Sequence, residues 1–202
     1  MPRLVTTHHV SIGERSVCLD VRVEPGAHDE DRVAFTFDEA TRVVRAVVAD
    51  GAGNSGRGAE AAELAARVDD RDDLDRLESL EPILASLGAE VAIVSVTVHV
   101  VDGALAIEGA AVGDVRAWAR CAATWHELTA HVPRKPLVGG GAHPLPIGAL
   151  GADALIIATD GAAAWSGPSI NTGEDLIDRI IEELRGRSAL HDDLAMVWLR
   201  LA

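Results

Sequence analysis

Aromatic side chains make up only 3% of the 202 residues, and tyrosine is absent. Any core must therefore be built from Ala, Val, Leu and Ile, which dominate a hydrophobic fraction of 48%. A fraction that high excludes disorder, which needs low hydrophobicity, and it suits sheets layered with helices. Cysteine is scarce as well. Cys18 and Cys121 stand apart in apolar, strand-like surroundings. This fits buried thiols in a reducing compartment, with a disulfide or a catalytic thiol as the lesser reading. Positive charge is the third deficit: 18 Lys and Arg against 32 Asp and Glu leave −14. A nucleic-acid binder would show a basic stripe instead. Most of the acidic excess reads as solvated surface. No apolar run reaches bilayer length before charge or glycine interrupts it, and Met1 to Val5 carry no signal-peptide core. A cytoplasmic protein that engages neither membrane nor nucleic acid is expected, folded as a single domain over residues 1–202. There is no internal repeat and no low-complexity tail.

What the chain does contain is a set of apolar runs bounded by acids. Val10 to Ile12 and Ser16 to Val23 read as strands joined at Gly13-Glu14-Arg15, the second with period-two alternation. Val33 to Phe37 and Arg42 to Ala49 read as a hairpin. A helix is expected over Ala59 to Val68, with Ser55 as N-cap. A second is expected over Asp72 to Leu87, kinked or split at Pro82. The charged run from Asp69 to Arg76 reads as the solvated start of that helix. Val91 to Val101, Ala104 to Val112 and Val115 to Ala119 follow as strands, with a hairpin turn at Asp102-Gly103. Prolines and glycines between Arg120 and Gly151 suggest a long loop, usually a functional or mobile feature. Its segment from Pro133 to Pro146, with Arg134 and Lys135, is a candidate partner contact. Leu155 to Ala158, a helix from Glu174 to Arg185 and a strand from Leu194 to Leu201 complete the pattern. Strands in two groups with helices between them fit an α/β class with αββα layers.

The acids matter because of where they fall. Val47-Val48-Ala49-Asp50-Gly51 places a carboxylate where a buried strand meets a glycine-dense turn. Leu155-Ile156-Ile157-Ala158-Thr159-Asp160-Gly161 repeats the arrangement. His191-Asp192-Asp193 precedes the last strand, and His28-Asp29-Glu30-Asp31 precedes another. Carboxylates at strand ends, distant in sequence, can converge on one pole of a sheet. Oxygen ligands without Cys/His spacing select Mg²⁺, Mn²⁺ or Ca²⁺ rather than zinc. For each acid alone, a helix cap or a turn that bonds its own backbone is the plain alternative. A calcium-binding structural domain is a further reading, but it would need ligands from one local loop, and no such loop is visible.

The ordered set Glu30-Asp31, Asp50-Gly51, Val112-Gly113-Asp114-Val115-Arg116, Thr159-Asp160-Gly161 and Asp192-Asp193 resembles the metal-dependent protein phosphatases of type 2C. The resemblance runs from about Val21 to Leu201. It implies a four-layer αββα sandwich of two antiparallel sheets flanked by helices. It also implies hydrolysis of phosphoserine or phosphothreonine, with Mg²⁺ or Mn²⁺ as cofactor. Two cations about 3.5–4 Å apart would share an activated water and neutralise phosphoryl oxygens. Asp50 would bridge the pair, the Gly51 carbonyl would hold the second ion, and Asp160 and Asp192 would complete the first site. Glu30 and Asp31 would act on the second, partly through water, while Asp114 matches the position of a third, weaker cation. Asp193 competes with Asp192, and Asp29 with Glu30 and Asp31, for register.

Departures from the family pattern are specific. Gly26 stands where many members carry a phosphate-gripping arginine, leaving Arg22, Arg32 or Arg57 as substitutes. Ala52 stands where some carry a general-acid histidine, leaving His28, His191 or a bound water. Gly88-Ala89-Glu90 replaces Gly-Thr-Thr. The short span from Asp114 to Asp160 resembles the compact bacterial branch of sporulation and stress signalling. Its phosphoprotein substrates are anti-sigma-factor antagonists and stress-complex scaffolds. A non-catalytic module of the same fold, binding a phosphoprotein or a kinase, is the alternative.

Overall fold

The computed structural model describes residues 4–12, 15–24, 28–52, 56–69, 71–162, 176–186 and 192–201. The strands are β1 (Leu4–Ile12), β2 (Arg15–Glu24), β3 (Asp31–Asp38), β4 (Val43–Ala52), β5 (Glu90–Val101), β6 (Ala104–Val112), β7 (Arg116–Cys121), β8 (Thr124–Glu127), β9 (Leu145–Ala158) and β10 (Leu194–Leu201). The helices are α1 (Gly58–Ala65), α2 (Asp73–Leu87) and α3 (Leu176–Gly186), with a 3₁₀ turn at Asp160–Ala162. Pairing follows β1-β2-β10-β9-β6-β5-β4-β3, and β7 joins β8 to β9. Every pairing is antiparallel.

Strand β9 turns this one path into two layers. Its first half pairs with β6, from Leu145 to Ala152, and its second half lies between β10 and β7. Between the layers, Val44, Ala46 and Val48 of β4 and Val94 and Val96 of β5 meet Leu19 and Val21 of β2 and Val197 and Leu199 of β10. Alternate residues of the same strands face outward. Val47 and Ala49 of β4, with Ile93, pack beneath Ala61, Ala62 and Ala65 of α1 and Leu77 and Leu84 of α2. On the far side, Trp118, Ile156, Met196 and Trp198 cover Ile177, Ile180, Ile181 and Leu184 of α3. The four-layer αββα sandwich expected from the sequence is therefore the architecture observed. Near-continuous apolar strands such as β4 and β5 require it, since each sheet is buried on two sides. Each fully buried Leu or Ile contributes about 1.5–3 kcal/mol, so the aliphatic layers compensate for the shortage of aromatics.

Several local expectations differ from the structure. β1 begins at Leu4 rather than Val10. Helix α2 is continuous through Pro82, with Asp72 accepting from the Leu74 and Asp75 amides at 2.9 and 3.4 Å and Gly88 closing it in the left-handed region. Buried Leu77, Leu80 and Leu84 on both sides of the proline outweigh its missing amide. The charged run at its start is not wholly solvated. Asp73 is buried and accepts from the hydroxyls of Ser95 and Thr97, while Arg76 donates to the Ala65 and Arg67 carbonyls at 2.8 and 3.0 Å. The segment read as a loop between Arg120 and Gly151 contains β8 and half of β9. Pro146, Gly148 and Gly151 hid that strand. A Cβ on Gly148 would meet the Ile107 carbonyl at 2.8 Å, so glycine serves close strand approach there. Cys18 is buried and Cys121 half-buried, and neither is in a disulfide. Ser55, Gly26, His191 and the turn residues Gly13 and Glu14 lie outside the described residues, and α1 starts after Arg57 with no side-chain cap.

Candidate metal centre

Asp31 and Asp50 stand directly opposite one another in the register of β3 and β4. Like charges in that position repel, so the pairing works against the sheet unless something else compensates. Asp50 is not at the end of β4, as the sequence suggests, because that strand continues beside β5 to Ala52. It is β3 that begins there, at Asp31. The pairing of β9 with β10 brings Asp160, at the start of the 3₁₀ turn, beside Asp192 and Asp193 just before β10.

Thr159 braces the two layers together. Its amide donates to the Ala195 carbonyl at 3.0 Å, and its hydroxyl accepts from the Ala195 amide at 2.9 Å. The same hydroxyl donates to Asp31 Oδ2 at 2.6 Å. Buried Asp193 accepts from the Glu30 amide at 2.5 Å, and the Glu30 carbonyl accepts from the Gly51 amide at 3.3 Å. Gly51 has no space for a side chain, since a Cβ would lie 2.0 Å from the Gly58 carbonyl oxygen.

Glu30, Asp31, Asp50, Gly51, Asp114, Asp160 and Asp192 all line one cavity of about 220 Å³. These are the seven positions singled out in the sequence. Asp193, His28 and Lys135 line it too. Its electrostatics follow from crowding. Burial pushes Asp50 up to about 9, with further repulsion from Asp31, Asp160, Asp114 and Asp192. Burial pushes Asp31 up to about 7 against the Thr159 hydrogen bond, aided by Asp193, Asp160 and Asp192. Asp160 is raised first by desolvation, then by Asp114 and Asp192, while a hydrogen bond with Asp50 and the charge of Arg134 oppose the shift. Glu30 is raised by desolvation, which His28 counters.

The donor set is oxygen-rich and short of positive charge, which fits hard divalent cations. Carboxylates held above their ordinary range by burial, and further by one another, are stabilised by a cation placed among them. Among the described residues, no group of three or more His, Cys, Asp or Glu side chains stands in ready-made ion-holding geometry. Several of the acids are turned instead toward protein partners, Asp31 to Thr159, Asp192 to the Asp193 amide and Asp160 to Asp50. Side-chain rotation within the cavity would be needed to gather them on an ion.

The three candidate phosphate-gripping arginines are engaged elsewhere. Arg22 pairs with Asp178. Arg32 donates to the Asp29 and Asp31 carbonyls at 2.9 and 2.8 Å and pairs with Glu63, and Arg57 donates to the Leu87 carbonyl at 3.1 Å. The sequence reading missed the brace at Thr159 and the place of Lys135. Thr159 sits inside a quoted motif, so a hydroxyl beside the acid was the available signal. Nothing near Lys135 in the sequence places it in the cavity.

No protein-family model and no curated protein matches this chain. Solved structures do. RsbX in complex with magnesium superposes with a TM-score of 0.74 at 15% identity, covering 98% of this chain and all of that one (100%). The fold is that of the bacterial serine/threonine phosphatases. Stp1 from Staphylococcus aureus shares this phosphatase fold at a TM-score of 0.70 and 14% identity, over 90% of this chain and 94% of its own. The PstP/Ppp phosphatase of Mycobacterium tuberculosis does so at 0.62 and 16%, over 91% and 98%. The resemblance read from five short motifs in the sequence thus agrees with the phosphatase fold of the whole chain.

Proposed function

We propose that this chain is a Mg²⁺- or Mn²⁺-dependent protein serine/threonine phosphatase. The observation that carries the reading is the convergence of carboxylates from β3, β4, the 3₁₀ turn and the start of β10 on one cavity. A phosphatase fold shared with a protein solved with magnesium supports it. Asp50, the Gly51 carbonyl, Asp160 and Asp192 would hold two cations, with Glu30 and Asp31 on the second and Asp114 near a weaker third. When bound, such a pair supplies an activated water and a sink for phosphoryl charge. The chain's own residues prepare for this. Thr159 fixes Asp31, and the Glu30 amide fixes Asp193. Gly51 brings β4 against the start of α1, so its carbonyl is held rigidly. His28 lines the cavity and would donate a ring N–H proton to the leaving alkoxide.

The substrate would be phosphoserine or phosphothreonine on a signalling protein, with anti-sigma-factor antagonists and stress-complex scaffolds as the first candidates. A net charge of −14 argues against nucleic acid as a partner, and no described helix is long and apolar enough to cross a membrane. The alternative is a non-catalytic module that binds a phosphoprotein or kinase, which Gly26 and Ala52 favour. Hydrolysis of p-nitrophenyl phosphate with and without Mn²⁺ separates the two. Cation-dependent turnover lost in Asp50→Asn supports the phosphatase, and no turnover at millimolar Mn²⁺ supports the module.

A further inference from the structure

The cavity needs a fixed positive charge to receive a phosphate dianion; Arg22, Arg32 and Arg57 are engaged elsewhere, and Arg134, whose charge reaches Asp160, is not on its lining. Lys135, the chain's one lysine, is the residue on the lining that carries permanent positive charge. It is exposed and makes no ion pair or hydrogen bond with any described residue. In a chain with 32 acids, a cation left unpaired beside seven carboxylates is available to a ligand.

Its position is built rather than accidental. The segment after it is pinned to two elements. Val138 exchanges backbone hydrogen bonds with Val91 of β5 at 3.0 and 3.2 Å. Glu81 of α2 accepts from the amides of Gly139 and Gly141, both at 2.7 Å. Leu137 is buried, and Gly113, at φ +85°, leaves it room, since a Cβ there would lie 2.7 Å from Leu137 Cδ2. A long side chain on such an anchored segment loses less conformational freedom on binding than one on a free loop.

We propose that Lys135 is the cationic half of a phosphate-binding subsite at the mouth of the acidic cavity, gripping the phosphomonoester oxygens of the substrate. The ligand class rests on the phosphatase reading, and Lys135 takes the part left open by Gly26. An ammonium binds phosphate as a mobile point charge rather than as a bidentate fork. Recognition here is therefore less dependent on orientation than an arginine would make it.

The test uses inorganic phosphate as ligand in saturating Mg²⁺, read by calorimetry and by the rise in Tm, together with KM for p-nitrophenyl phosphate. Lys135→Met should weaken phosphate binding by about tenfold or more, the loss of one charge-assisted contact. KM should rise in step, and Lys135→Arg should restore most of both. Arg67→Met removes an exposed charge from the end of α1 and controls for net charge. Its phosphate affinity should match wild type. Equal phosphate affinity in Lys135→Met and wild type, or no binding by wild type, overturns the subsite. Phosphate binding that needs Lys135 but comes without turnover overturns the phosphatase reading and leaves the subsite standing. Turnover with phosphate affinity indifferent to Lys135 does the reverse.

Discussion

Replacing Asp50 by asparagine should strengthen the cation-free protein and abolish its response to Mg²⁺. The Asp50 carboxyl is pushed up to about 9, whereas an unfolded aspartate titrates at about 3.9. Between those values the folded chain holds a proton that the unfolded chain has released. Stability tied to this group is thus intact below the unfolded value and is lost as pH rises toward about 9. At about pH 7 the gap is about 3 units at about 1.4 kcal/mol each, a cost of about 4 kcal/mol. Asparagine has the shape of the protonated acid and no charge to desolvate, but its amide needs acceptors. A net gain of about 2 kcal/mol, half that cost, is the expected result. In a domain of this size that corresponds to about 4–8 °C in Tm. Wild type should gain about 2.7 kcal/mol from Mg²⁺ at a hundred times its Kd, and the variant should gain almost none. Thermal unfolding by circular dichroism, in EDTA and in Mg²⁺, reads both quantities. Because the amide's cost of about 2 kcal/mol does not change with pH while the carboxyl's cost fades toward about pH 4, the variant's advantage in EDTA should reverse at about pH 4 and be widest near pH 9. A variant that melts below wild type in EDTA at about pH 7 and keeps its Mg²⁺ increment would refute the reasoning.

Three further outcomes are expected. Thr159→Val removes the donor to Asp31 and the acceptor for the Ala195 amide. It should cost about 1–3 kcal/mol by urea unfolding and weaken Mn²⁺ binding in calorimetry. Gly51→Ala drives a Cβ to 2.0 Å from the Gly58 carbonyl. It should lose about 1–3 kcal/mol or more by urea unfolding. Glu81→Gln keeps an acceptor for only one of the two loop amides it now holds. Hydrogen exchange at Gly139 and Gly141 should quicken while the global Tm changes little.

Legibility in the sequence tracked how local the physics was. Strand β2 and helix α3 were readable because their apolar spacing is period two or helical, and burial follows that spacing directly. The acids were readable because a carboxylate after a β-branched run is rarely there for packing. Their meeting in one cavity rests on the pairing of β9 with β10 and of β3 with β4, contacts between distant segments that no local pattern encodes. Half of β9 was missed because Pro146, Gly148 and Gly151 are loop residues by propensity, and tertiary pairing with β6 overrode them. Asp73 and Arg76 were misread for a related reason, since burial of a charged residue depends on partners such as Ser95, Thr97 and the Ala65 carbonyl. Lys135 carried no local signal, because its position is set by what Glu81 and Val91 do to the segment after it.

The account stands on distant carboxylates gathering around a pair of hard cations. Crystals grown in Mn²⁺ and measured at the manganese edge test that most directly. Two anomalous peaks about 3.5–4 Å apart, bridged by Asp50 and contacted by the Gly51 carbonyl, Asp160 and Asp192, are the expected result. Asp50 and Asp160 still bonded to each other, with no manganese peak between them, would contradict it.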